Sequence, residues 1–230
     1  MSLLAYCIVE ASAPVNISRS GVGNMPVESV ESQGLRMFIS RAGESVATTP
    51  GRDGALMFHG VIEEAFRQVA IVPFRFPTIL PDESGASAYL SDHSAEYREV
   101  FNRLRSMVQM EIRLQYKEPP ASPQTLSPPE TRIKPSGTEY LSRIQSELTR
   151  LEAAANQLQR ACGTLAQDWR QKASRRSMTC FVLIERVGIR DFQIQLEDIA
   201  VPPELAVRLT GPWPATEFLK NAYAESRESR

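Results

Sequence analysis

Cysteine and histidine are scarce in this chain: 230 residues hold three of the first and two of the second. Cys7, Cys162 and Cys180 are an odd set without short spacings. That argues against a disulfide framework or a zinc site and fits a cytosolic protein. Cys7 and Cys180 sit in apolar strand-like runs and read as small buried hydrophobes. His59 and His93 are far apart, and neither has a metal-ligating neighbour at helical spacing. His59, beside Phe58, reads as a packed or capping residue, and His93 as part of a polar helix start facing solvent. No nucleophile elbow, phosphate-binding loop or complete dinucleotide fingerprint occurs; Gly21-Val22-Gly23 lacks the third glycine. Glu63-Glu64 and the Glu96/Glu99 pair read as solvated helix faces. The expectation is therefore no enzyme, no catalytic residues, no cofactor and no metal.

An excess of either charge is also missing. With 26 basic and 27 acidic residues the net charge is −1, which gives no reason to expect nucleic acid or an anionic membrane as partner. The one basic cluster, Arg170, Lys172, Arg175 and Arg176, falls where a helix is expected to end, and cations there complement the helix dipole. Long apolar runs are absent too: nothing approaches the roughly 18 residues of a membrane span. Ala11-Ser12-Ala13 mimics a signal-peptidase site. No Lys or Arg precedes it, and the apolar run before it is broken by Tyr6 and ended by Glu10, so a strand is expected there.

What is present is an alternation of strand-like and helix-like segments. Residues 3–10 read as a strand, and residues 27–32 and 35–40 as a hairpin around Gln33-Gly34. A helix starts near Pro50, capped by Thr49, or near Asp53, with Phe58, Ile62, Ala65, Phe66 and Val69 on one face. Residues 71–76 read as a buried strand, 87–108 as a helix and 111–117 as a strand. Prolines 119, 120, 123, 128, 129 and 135 make the loop 117–136 extended. A capping box, Ser136 with Glu139, opens the longest helix. Its seam steps by three and four through Leu141, Ile144, Leu148, Leu151, Ala155, Leu158, Cys162, Leu165 and Trp169. That seam suits a helix packed on its own domain, or an intermolecular coiled coil whose flanking charges specify no partner. Residues 178–187 and 191–197 read as strands joined at Gly188, followed by a strand from Leu205.

From residue 111 onward this gives β-α-β-β-(short α)-β, the split βαβ, ferredoxin-like pattern. The fold class expected is α+β in two domains. A small α+β domain spans 1–84, and a ferredoxin-like domain spans 85–230 with the Pro-rich loop, the long helix and a C-terminal tail.

Two places invite a binding role. In 209–218, LTGPWPATEF, Gly211, Pro212 and Pro214 stop the strand and hold Trp213 on a stiff corner. That ring either folds back over its own core or offers a contact surface. In 73–78, PFRFPT, Arg75 lies between Phe74 and Phe76. With both rings packed inward, Arg75 points the other way and needs a carboxylate, carbonyl or ring face, from its own chain or from a partner.

These same segments carry a family resemblance. Tyr6-Cys7-Ile8-Val9, then PFRFPT, then Gly137 with Tyr140 and Leu141, then CFVLIE at 180–185 with Phe192, then LTGPWP resemble, in order, the signatures of the GvpL/GvpF gas vesicle proteins. The family usually has Gly at the place of Pro77 and an aromatic near Ala215 and Thr216. The resemblance implies a cytoplasmic, vesicle-associated protein. It also implies a non-catalytic accessory or minor structural role in gas vesicle assembly, binding hydrophobic shell subunits or other vesicle proteins. The residues expected to meet such a partner are Phe74, Arg75, Phe76, Trp213 and Phe218. The alternative is a ferredoxin-like, small-ligand-binding regulatory module unrelated to vesicles.

Overall fold

The computed structural model describes residues 2–43, 51–117, 137–174 and 176–219, without the side chains of 137–140. The expected Thr49 cap, the Ser136–Glu139 capping box, the Pro-rich loop beyond Lys117 and the tail beyond Leu219 lie outside the described residues. The chain divides into two compact units: residues 1–108 with 213–230, and residues 109–212.

In the first unit, β1 (Leu3–Glu10) is buried almost throughout, so both of its faces are covered. On one side it pairs antiparallel with β3 (Leu35–Arg41), which in turn pairs with β2 (Glu28–Ser32). The β2–β3 connection is the expected two-residue turn: Gln33 and Gly34 have φ of 53° and 76°, the pair of positive values that a tight hairpin turn demands. On its other side β1 meets two short strands, β4 (Val72–Pro73) and β5 (Ile79–Leu80). The strand expected over 71–76 is thus only two residues long, because Pro73 and Pro77 bring no N–H to a ladder.

Helix α1 (Arg52–Gln68) buries Phe58, Ile62, Ala65 and Phe66 of the face that the spacing indicated, with Val61 beside them, while Val69, also expected there, caps the helix and is half-buried. The single helix expected over 87–108 is instead α2 (Glu83–Asp92) and α3 (Ser94–Leu104), broken at His93. Asp82 caps α2, its carboxylate accepting from the Gly85 N–H at 2.8 Å. His93 does not face open solvent: it is half-buried, stacks on Tyr89 at 4.3 Å, and its Nδ1–H donates to the Tyr89 carbonyl at 2.9 Å.

The second unit is built from β6 (Met107–Tyr116), α4 (Gly137–Ala161), β7 (Ala166–Ser174), β8 (Ser177–Glu185), α5 (Ile189–Glu197) and β9 (Leu205–Trp213). The sheet order is β7-β8-β6-β9. The β-α-β-β-α-β sequence of elements is the one expected, but two elements are not. Helix α4 stops at Ala161, and Gly163 lies in the turn that follows rather than inside the helix. Leu165 ends that turn, and Trp169 belongs to β7. Residues 191–197 are helical, not extended. The cluster Arg170, Lys172 and Arg176 therefore lies on the β7–β8 hairpin, not at a helix end, and Arg175 is outside the described residues.

Helix α4 buries the second half of its seam, Leu151, Ala155 and Leu158, with Cys162 buried just past its end, while Leu141 near its start is 66% exposed. Burying one such Leu contributes roughly 2 kcal/mol, so the sheet-facing half holds the helix in place. The packed, intradomain reading of the seam applies to that half.

Candidate partner-binding site

Residues 74–78 form an arch along the edge of the first sheet. Its feet are fixed by β1: Phe74 N–H donates to the Tyr6 carbonyl at 2.8 Å, and Ala5 N–H to the Thr78 carbonyl at 2.9 Å. Within the arch Thr78 Oγ1 donates to the Arg75 carbonyl at 2.7 Å, and the Phe76–Pro77 peptide is cis. The two rings turn to different helices. Phe76 lies 5.1 Å from Phe58 of α1, which stacks on Tyr6 at 5.0 Å. A Cβ on Gly54 would come within 3.2 Å of the Phe76 ring, so the missing side chain lets the ring approach α1. Phe74 lies 5.7 Å from Tyr89 of α2, whose hydroxyl meets that of Tyr97 at 2.8 Å. Burial, the largest cause, pushes the Tyr89 hydroxyl above its ordinary pKa of 10.0.

Both phenylalanines are half-buried, and Arg75 between them is exposed. The alternation expected from the sequence is present, although the strand is not. The ring cluster of Tyr89, His93 and Tyr97 is not one the sequence reading expected, which had His93 facing solvent. Their spacing of four was the available signal, since on a helix it would align three rings.

The closing motif separates its two aromatic residues. Trp213 ends β9 and is 38% exposed. Phe218 is fully buried at the end of a 3₁₀ turn over Thr216–Phe218. The Arg103 guanidinium of α3 donates to the Phe218 carbonyl and pins the turn. Where the family has an aromatic, Ala215 is 7% exposed and Thr216 points to solvent. Phe74, Arg75 and Phe76 thus share one arch, Trp213 stands at a strand end, and Phe218 belongs to the interior.

An open cavity of about 380 Å³ lies elsewhere in the first unit, lined by Glu10, Ser12, Pro14, Gln68, Val69 and Arg105 among others. Arg105 closes on Glu10 through two hydrogen bonds of 2.9 and 2.7 Å. None of the residues expected to meet a partner, Phe74, Arg75, Phe76, Trp213 and Phe218, lines it. Among the described residues no group of three or more His, Cys, Asp or Glu is placed to hold a metal, and no helix is long and apolar enough to cross a membrane.

Gas vesicle protein L of Streptomyces sp. (strain CB03234) is 25% identical over 196 residues, 77% of this chain and 73% of that protein. The crystal structure of gas vesicle protein GvpF from Anabaena sp. PCC7120 matches with a TM-score of 0.75 at 18% identity, covering 95% of this chain and 96% of that one. GvpF from Microcystis aeruginosa matches with a TM-score of 0.72 at 15% identity, covering 95% and 99%. At those identities the two structures show a shared mixed α and β fold. The profile of the gas vesicle synthesis protein GvpL/GvpF family matches residues 2–220, and the chain belongs to that family.

Proposed function

We propose that this protein is a non-catalytic assembly factor or minor structural component of gas vesicles, acting in the cytoplasm and at the vesicle. It binds hydrophobic shell subunits or other vesicle proteins. The observation that carries this reading is the family match from residue 2 to residue 220. The physical need is plain: a subunit that must face gas exposes apolar surface before it assembles, and such surface aggregates unless it is shielded.

The arch residues Phe74, Arg75 and Phe76, with Trp213, are the contact we assign. A half-exposed tryptophan on a proline-stiffened corner offers apolar area at little entropic cost. An exposed Arg75 between two rings adds a directional donor. Phe218, named with them from sequence, is fully buried and is not part of that exposed surface. We also read the two units as domains. The sequence set the second at 85–230; the unit over 109–212 starts later. Its element order and its strand order β7-β8-β6-β9 support the ferredoxin-like description. Family membership removes the ground for a regulatory module unrelated to vesicles.

The test is a pull-down from the native host with tagged wild type beside Trp213→Ala. Shell subunits or other vesicle proteins recovered with wild type and lost with the variant support the reading. Absence of every vesicle protein from the wild-type sample overturns it.

A further inference from the structure

Residues 12–20, between β1 and β2, belong to no helix or strand. Both feet of this segment are fixed: Ala11 N–H donates to the Gly34 carbonyl at 2.9 Å, and Val22 N–H to the Tyr6 hydroxyl at 2.9 Å. Between the feet the chain runs back along α1. Gln68 holds Asn16, Glu64 holds Ser18 and the Arg19 N–H, and the Arg19 side chain lies over Gly60 in the space a Cβ would fill. Positions 60, 64 and 68 are spaced by four, so they form one ridge of the helix.

The hydrogen bonds from Glu64 and Gln68 to this segment all lie at the surface, and such bonds open at low free energy. Burial alternates along the segment: Ala13, Val15 and Ile17 are half-buried, while Ser12, Pro14, Asn16 and Ser18 are exposed. The open cavity of about 380 Å³ is lined by Ser12–Pro14 and by Gln68–Ala70 at the end of α1, so segment and helix are already parted there. A plain connection from β1 to β2 explains the two feet. It does not explain an alternating middle bound by a carboxylate and a carboxamide one turn apart.

We propose that residues 12–20 are a displaceable strap, and that the α1 ridge beneath them takes an extended segment of a partner polypeptide in their place. The strap displays the chemistry of that occupant: small apolar residues alternating with short polar ones, then a hydroxyl residue followed by a cation. Glu64 accepts from the hydroxyl and from two successive N–H groups, and its charge complements the cation that follows. Gln68 pairs with both main-chain groups of one residue, which holds an extended backbone whatever its side chain. The inference does not rest on the vesicle reading, and its residues are not those of the arch.

The experiment uses the full chain and a fluorescein-labelled synthetic peptide of residues 11–20, followed by fluorescence anisotropy. Wild type, whose own strap occupies the ridge, is expected to bind about tenfold more weakly than Val15→Asp/Ile17→Asp, in which two charges drive the strap off its half-buried seat. Adding Glu64→Ala to that variant, or Ser18→Ala/Arg19→Ala in the peptide, should remove most of the gain. The proposal is overturned if the folded variant, checked by circular dichroism, binds the peptide no better than wild type, or if loss of Glu64 leaves its binding unchanged. Hydrogen exchange on wild type reads the same device without a substitution. The Asn16, Ser18 and Arg19 amides should exchange by local opening, at rates that low urea does not change. If their exchange rises with urea as steeply as that of β1, the strap opens only when the unit unfolds, and the proposal fails.

Discussion

Glu64 of α1 and Ser18, 46 residues earlier, are joined twice: the Glu64 carboxylate accepts from the Ser18 hydroxyl at 2.6 Å and from the Ser18 N–H at 3.0 Å. The Arg19 N–H adds a third bond at 3.2 Å. One turn on, Gln68 donates to the Asn16 carbonyl at 2.8 Å and accepts from the Asn16 N–H at 3.1 Å. Glu64, which reads from sequence as part of an ordinary solvated face, thus joins Gln68 in holding the incoming loop against α1. Sequence could not show this, because the donors are backbone groups of a distant segment.

The Ser18 hydroxyl, first among the causes, holds the Glu64 carboxyl below its ordinary 4.5. A carboxyl depressed in the folded state contributes stability above 4.5 and loses it as pH falls through the folded-state value. Glu64→Gln is expected to cost about 1 kcal/mol at neutral pH, a charge-assisted bond reduced by exposure. The gap from wild type should close on acidification below 4.5, as read by urea unfolding across pH.

The cysteines are expected to be inert in the folded protein. Burial pushes the thiols of Cys7 and Cys180 from 9.0 to about 12 and raises that of Cys162 as well. A disulfide-exchange reagent at mildly alkaline pH should find no fast thiol in the native chain and all three after unfolding. The raised values keep their full contribution to stability below 9.0. They lose it as pH rises from 9.0 toward 12, because only the unfolded chain ionises there.

Gly211 has φ of +116°, and a Cβ on it would meet the Gln109 carbonyl oxygen at 2.9 Å and Met110 Sδ at 3.0 Å. The first of these is backbone and cannot swing away. Gly211→Ala combines a conformation closed to L-residues with a clash, and should destabilise by about 2–3 kcal/mol. Thermal unfolding, with far-UV circular dichroism of the folded baseline, measures it.

The two aromatics of the closing motif should separate in a stability assay. Phe218→Ala empties a fully buried site and is expected to cost about 3–5 kcal/mol. Trp213→Ala removes a ring 38% exposed and should cost roughly 1 kcal/mol. The same contrast holds along α4: Leu158→Ala should cost about 2–4 kcal/mol, whereas Leu141→Ala should be near neutral. Denaturant midpoints for the four variants provide the comparison.

Two misread elements show where periodicity loses its power. Leu165 and Trp169 continue the seam of α4 by a step of four, and a step of four keeps one face in a strand as well as in a helix. The turn after Ala161 was marked by Gly163, a residue that ends helices more often than it interrupts them. In 191–197 Phe192, Ile194 and Leu196 alternate like a strand, yet Ile189, Phe192 and Leu196 also fit a helix. Ile194 decides between them, being 50% exposed where a strand would have buried it with its neighbours.

The sequence by itself determined the elements whose signal is local: β1, the Gln33-Gly34 hairpin, the buried face of α1, and the family signatures in order along the chain. Each is written in adjacent residues, through alternation, turn chemistry or a three-and-four step. Only tertiary structure decided the rest. It exposed Trp213 and buried Phe218, gave Glu64 its distant donors, and set the Lys172 ammonium over the Phe181 ring. Those outcomes depend on which segments meet across long separations. A residue's burial is fixed by the neighbours that packing brings to it, and no local pattern encodes them.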